Sequence, residues 1–262
     1  MNCFKRLILG IIIIYAPLKL NAWGTQGHRI SGQIAYNYLT PRARLALHGI
    51  LGYESIAIAG TWADFIKSDP AYNYLSPWHY IDFDKAYSYP EMQAYLNQDK
   101  NVDAYTKMQF LISELKKKNL SNSNKLLYLR MLIHIVEDVH QPMHTAHTED
   151  KGGNDFKVMW FNNHTNMHAI WDTQLIEFQQ LSYTEYVANI NHTTLAQRKN
   201  WQKEPISQWL FESNQIAEKI YNETKTGDTL NYKYNFVHIN IVNEQLLKAG
   251  VRLAGMLNQL FG

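Results

Sequence analysis

The sequence predicts an all-α, single-domain, multi-helix fold. Apolar residues recur at helical spacing along most of residues 23–262, alternating strand pattern is scarce, and no repeat or Pro/Gly-rich linker divides the stretch. A first helix is expected over 24–38. Thr40-Pro41 then reads as a helix start, with Thr as N-cap and Pro at the first helical position. Helices over 55–67 and 101–118 follow. Leu126, Leu127, Leu129, Met131, Leu132, Ile135 and Val136 mark a strong one after them. The best strand candidate is Lys157-Val158-Met159-Trp160-Phe161. Helices over 166–179 and 205–224 precede a C-terminal helix carrying Leu246, Leu247, Val251, Ala254, Leu257 and Leu260.

Residues 1–22 stand apart from this pattern. Lys5 and Arg6 precede an apolar run from Leu7 to Ala16, and Asn21-Ala22 offers a small-residue cleavage point. That is the layout of a secretory signal, and the run is too short to span a membrane. The expected mature chain is one domain, 23–262, secreted or periplasmic. Removing Lys5, Arg6 and Lys19 from the 25 basic residues leaves 22 against 23 acidic ones. A nearly neutral protein lacks the broad positive surface that grips duplex DNA. The single cysteine, Cys3, lies in the signal, so the mature chain rests on its core, or on metal, rather than on disulfides.

Histidines and aspartates carry the strongest chemical signal. In His134-Ile-Val-Glu-Asp138-Val-His140-Gln-Pro142-Met-His144, His134 and Asp138 share one helix face. Pro142 ends or kinks that helix and sends His144 in a new direction. His168 and Asp172 form a second pair of the same spacing. Upstream, Trp62-Ala-Asp64 and Trp78-His79-Tyr80-Ile-Asp82 set imidazole and carboxylate groups among aromatic residues, and Trp23-Gly-Thr-Gln-Gly-His28 opens the expected domain. Such groups are costly to bury unless paired or ligating a metal. Imidazole and carboxylate donors without thiolate suit catalytic zinc. His28, Asp64, His79, His134, Asp138, His144, His168 and Asp172 are too many for one zinc ion and suit three.

These pieces, in this order across residues 23–172 and with the Gly152-Gly153-Asn154 step between them, resemble the S1/P1 family of three-zinc single-strand nucleases and 3′-nucleotidases. The resemblance implies the all-α fold shared with zinc phospholipase C. It also implies a zinc-dependent nuclease domain over 23–262 that acts, as a monomer, on single-stranded DNA or RNA and on 3′-nucleotides and leaves 5′-phosphates. Asp64, His79 and His134 would hold one zinc, with Asp138 bridging to a second held by His28 and the α-amine and carbonyl of Trp23. His144, His168 and Asp172 would hold the third. A metal-bridging hydroxide would attack phosphorus while the third zinc stabilises the departing 3′-oxygen. Asp64, Asp138 and Lys67 are the implied catalytic residues. Tyr80 would stack on a base, and Asp82 and Asn154 would bond its edge. Three zinc ions against three carboxylates leave a local charge of roughly +3 to attract phosphate.

The sequence departs from the family pattern in two places. Lys67 stands where fungal members have Arg, keeping the charge but losing the bidentate fork, and the fungal disulfides are absent. His140 and His147 match no family ligand. A zinc phospholipase C is the nearest alternative. The short step from Trp23 to His28 and an Asp172 ligand in place of a terminal Glu oppose it. A non-catalytic secreted zinc-binding protein is the other, opposed by ligand sets that leave coordination positions open.

Overall fold

Caps and apolar stripes together place the helices. The computed structural model describes residues 23–262, so the expected signal at 1–22 lies outside the described residues. Helix α1 is Thr25–Asn37 and α2 is Pro41–Leu51, where Thr40 Oγ1 accepts the Ala43 amide at 3.1 Å. The helix expected over 55–67 is instead two short ones, α3 (Ile56–Ala59) and α4 (Trp62–Ile66), separated at Gly60-Thr61. A 3₁₀ segment, Pro70–His79, follows. Then come α5 (Tyr89–Gln98), α6 (Ala104–Leu115) and α7 (Asn122–Asp138). Helix α7 ends four residues ahead of Pro142, which opens a new 3₁₀ turn, Pro142–Thr145, and gives His144 its own direction.

The strand expected at 157–161 forms as β1 (Lys157–Trp160) and stops where Phe161 adopts φ of 51°. It lies between β2 (Asn163–Asn166), antiparallel with Val158 opposite Thr165, and a short parallel strand, β3 (Thr229–Leu230). The helix expected over 166–179 is composite. A π turn, Ile170–Gln174, joins α8 (Met167–Ala169) to α9 (Leu175–Glu177), and Asp172 sits within the turn. Single π turns inside helices often mark functional sites. Helices α10 (Tyr183–Ile190) and α11 (Leu195–Trp201) precede α12 (Ile206–Glu223) and α13 (Tyr232–Phe261). The sequence reading missed α5, α10 and α11, which are short. Each nevertheless opens on a capping box: Ser88 with Glu91, Ser182 with Glu185, and Thr194 with Gln197.

The core has two parts, and α13 runs through both. Its Leu253, Ala254 and Leu257 join Leu129, Leu132 and Val136 of α7 and Met108 and Leu111 of α6. Its Val242, Leu246 and Val251 join Trp23, Ile30, Ile34 and Trp171. Helix α1 packs on α13, α3 and α7, and α4 packs on α7. The candidate site forms where these ends meet. Among the described residues, no helix is long and apolar enough to cross a membrane.

Candidate active site

Helix α7 supplies the centre of the site. His134 and Asp138, one turn apart, bring Nε2 and Oδ2 to 2.9 Å. The His134 Nδ1–H donates to the Gly60 carbonyl at 2.6 Å and leaves Nε2 facing inward. His79, at the end of its 3₁₀ segment, places Nδ1 2.7 Å from His134 Nε2 and 3.1 Å from Asp138 Oδ2. From α1, His28 Nε2 stands 3.4 Å from Asp138 Oδ1 and 3.7 Å from Asp64 Oδ2. Asp64 also lies 3.8 Å from His134 Nε2, and its Oδ1 accepts from Lys67 Nζ at 2.6 Å. On the adjoining side, His144 Nε2 is 3.6 Å from Asp172 Oδ1, and His168 Nε2 is 3.1 Å from Asp172 Oδ2.

Three groups able to hold a metal result: His28, Asp64 and His134; His79, His134 and Asp138; and His144, His168 and Asp172. Within each, the donor atoms lie within 4.8 Å of one another. His134 contributes to two of them, a sharing that helix spacing alone does not reveal. The donors fit a cation. His28 Nε2, Asp138 Oδ1, His144 Nε2 and Asp172 Oδ2 are all buried without a hydrogen-bond partner. An unsatisfied buried polar atom costs roughly 1–3 kcal/mol, so four of them around one centre call for a ligand. Imidazole with carboxylate is a donor set that zinc accepts in catalytic sites. Each remaining ring nitrogen of His28, His134, His144 and His168 is bonded outward, to Glu137 Oε2 or to the carbonyls of Gly60, His79 and Gly152. Such bonds fix the tautomer a metal needs.

Charge is arranged in the same sense. Burial, helped by His134, lowers His28 to about 3 and His79 to about 4, so both present neutral imidazoles. Burial disfavours charge on Asp138, yet His134 and His144 outweigh it and hold the carboxyl well below its usual range. Asp172 is likewise held at about 2 against the effect of burial, chiefly by His168 and His144. Burial also opposes charge on His144, but Asp138 and Asp172 push it up to about 9. A metal cation bound between these carboxylates would take the proton's place.

Beside the third group lies a cavity of about 560 Å³ whose walls include Tyr80, Asp82, Asn154, Gly152, Asp103 and His168. The three residues read as substrate-binding therefore share one cavity. Tyr80 is 41% exposed, and both Asp82 Oδ1 and Asn154 Oδ1 lack a partner. Burial pushes Asp82 up to about 7. Gly152 and Gly153 hold φ of 62° and 77°, and a Cβ on Gly152 would meet the Met143 carbonyl oxygen at 2.4 Å. Asp103 was not legible as a site residue. Burial and the nearby Asp99 push it up to about 7.

The family model for S1/P1 nuclease matches residues 23–262. The chain belongs to the S1/P1 nuclease family. It is 29% identical to Endonuclease 2 of Arabidopsis thaliana, over 98% of this chain and 96% of that protein. It is 28% identical to Nuclease P1 of Penicillium citrinum, over 92% and 98%, and 26% identical to Nuclease S1 of Aspergillus oryzae, over 90% and 91%. As an S1/P1 nuclease it is a hydrolase, a zinc-dependent single-strand nuclease and 3′-nucleotidase, and its three His/Asp groups match the three zinc ions of that site. Membership sets aside the phospholipase and the non-catalytic zinc-binding protein.

Tertiary contacts add support to this S1/P1 centre that sequence reading did not find. Glu137, next to Asp138, is fully buried and accepts from His28 Nδ1 at 2.6 Å, while its carbonyl accepts from Trp23 Nε1 at 2.7 Å. Burial, with Asp138 and Asp64, raises its carboxyl well above the usual range. Gly60 makes room for it: a Cβ there would meet Glu137 Oε2 at 2.5 Å. Gln141 donates to Asp172 Oδ1. The turn after α7 hangs from α12 and α13. Ser213 and Gln245 donate to the Val139 and His140 carbonyls, and Asn214 to that of Thr145. Arg252, buried and bound to Glu204 and Glu212, donates to His140 Nε2 at 3.0 Å. His140 is thus a support for the turn, while His147 stacks on Tyr221 at 4.3 Å outside the metal groups.

Gly60→Ala is expected to lower zinc affinity about 10–100-fold while helical content is kept, because it displaces the carboxylate that orients His28. Zinc titration of metal-free protein, followed by far-UV circular dichroism, measures both. Unchanged affinity would show that Glu137 does not need that space.

Proposed function

We propose that the chain is a secreted or periplasmic, monomeric enzyme whose 23–262 domain cleaves single-stranded DNA or RNA and 3′-nucleotides with the residue roles read from the sequence. The observation that carries these roles is the set of buried, partnerless donor atoms on His28, Asp138, His144 and Asp172. Asp64, His79 and His134 would hold one zinc, shared through Asp138 with a second held by His28 and the Trp23 main chain. His144, His168 and Asp172 would hold the third. When bound, the ions lower the pKa of a water and offset charge on the reacting phosphate.

The protein's own groups do the rest. Lys67, 27% exposed and tied to Asp64, reaches the phosphate as a point charge. Tyr80 offers its half-exposed ring to a base, and Asp82 and Asn154 offer free oxygens to the base edge. A base must leave its stack to enter, so paired strands are excluded. The signal layout of residues 1–22 supports export. Zinc content together with product analysis on a single-stranded oligonucleotide tests the whole reading. Three zinc ions and 5′-phosphorylated products are expected, and 3′-phosphorylated products would sink it.

Two substitutions separate the roles. Lys67→Ala is expected to lower kcat roughly 10²-fold with little change in KM, as loss of a transition-state contact does. Tyr80→Ala should instead raise KM for nucleotides about tenfold, since stacking acts in ground and transition states alike. Steady-state kinetics in which the two variants trade signatures would reverse the assignments.

A further inference from the structure

A second cavity adjoins the metal groups at another edge. It measures about 330 Å³ and is lined by Lys67, His79, Ala63, Ile66, Tyr72, Asn73, Leu75 and Ser76. It shares no lining residue with the cavity of Tyr80 and His168. We propose that this second cavity seats the nucleotide on the 3′ side of the cleaved phosphate, with its base against Tyr72. The proposal rests on the nuclease reading above.

A phosphodiester carries a nucleoside on each of two ester oxygens. The departing 3′-oxygen belongs to the nucleotide whose base enters the Tyr80 cavity, beside His144, His168 and Asp172. The other ester oxygen must carry its nucleoside past a different edge of the centre. Lys67 and His79 form such an edge. Both touch the second cavity, and Lys67 is also bonded to Asp64 at 2.6 Å. A phosphate held by Lys67 therefore has this cavity as its next neighbour along the strand.

The walls suit a nucleoside. Tyr72 is half-buried and its ring is braced edge-on by Trp62, with centroids 5.5 Å apart at 87°. Tyr74 lies near-parallel to it at 6.5 Å and is 52% exposed, extending the aromatic surface outward. Asn73 and Ser76 are exposed and supply donors and acceptors for sugar or base edge. A ring fixed beside a cation is how proteins follow single strands without reading their sequence. With a base drawn out on each side of the phosphate, two neighbouring nucleotides must be unpaired, which sharpens the discrimination against duplex. A 3′-mononucleotide has nothing to place here, so the cavity serves the nuclease reaction and not the 3′-nucleotidase reaction.

The test uses zinc-loaded enzyme and three substrates: thymidylyl-thymidine, the same dinucleotide with its 3′-side base replaced by hydrogen, and thymidine 3′-monophosphate. Loss of the 3′-side base is expected to lower kcat/KM roughly tenfold. In Tyr72→Ala the two dinucleotides should become equal, and Tyr72→Phe should restore the difference. Equal kcat/KM for the two dinucleotides in the unmodified enzyme would overturn the subsite, whether or not Tyr72→Ala folds. So would a Tyr72→Ala defect of the same proportion on thymidine 3′-monophosphate, which would make Tyr72 a mere brace for α4. Failure to cleave any of the three substrates would instead overturn the nuclease reading, and the subsite with it.

Discussion

Asp138→Ala is expected to lower kcat on the order of 10³–10⁴-fold and to release zinc from the paired positions. Asp138 Oδ2 lies 2.9 Å from His134 Nε2 and 3.1 Å from His79 Nδ1, while its Oδ1 faces His28 Nε2 at 3.4 Å. Among the described residues, no other carboxylate lies so close to donor atoms of both neighbouring groups. Removing one transition-state donor costs about 10²–10³-fold, and loss of a ligand shared between two ions, the role proposed for Asp138, would disable both. Metal analysis of the purified variant should show zinc retained only by His144, His168 and Asp172. Full zinc occupancy with ordinary turnover would show that Asp138 is not shared.

The second large effect concerns the start of the domain. Protein beginning at Trp23 is expected to bind three zinc ions tightly, and protein that keeps Ala22 to bind one of the three weakly, with a rate lower by about 10³-fold. An α-amine has a pKa near 7.7–8.0 and yields its proton to zinc, whereas an amide nitrogen has its lone pair delocalised and ligates poorly. In the proposed ligand set, retaining Ala22 would leave only His28 and Asp138 for that ion. Contacts around Trp23 tie it to the residues beside the metal groups. Its side chain is fully buried, its Nε1 donates to the Glu137 carbonyl beside Asp138, and the next amide, Gly24, donates to the Asp172 carbonyl at 2.8 Å. N-terminal sequencing, zinc content and nuclease rate of the two forms decide it. Equal zinc and equal rate would remove Trp23 from the site.

The sequence by itself determined the helical class and picked out the histidines and aspartates whose donor atoms the structure groups. Periodicity marked α7 and α13, where a continuous apolar stripe faces the core. The His134–Asp138 spacing put both side chains on one face, and Pro142 signalled the new direction taken by His144. These signals are local, written within a few residues of backbone geometry. Only the tertiary structure decided the rest. The 55–67 stretch is split at Gly60-Thr61, where Gly60 lies against Glu137, which is distant in sequence. The roles of Glu137, Gln141 and His140 depend on partners on α1, in the π turn and on α13. The Tyr72 cavity depends on how α4 and the 3₁₀ segment close on each other. A buried polar side chain chooses its partner by the packing of elements far apart along the chain, and helix spacing carries no record of that choice.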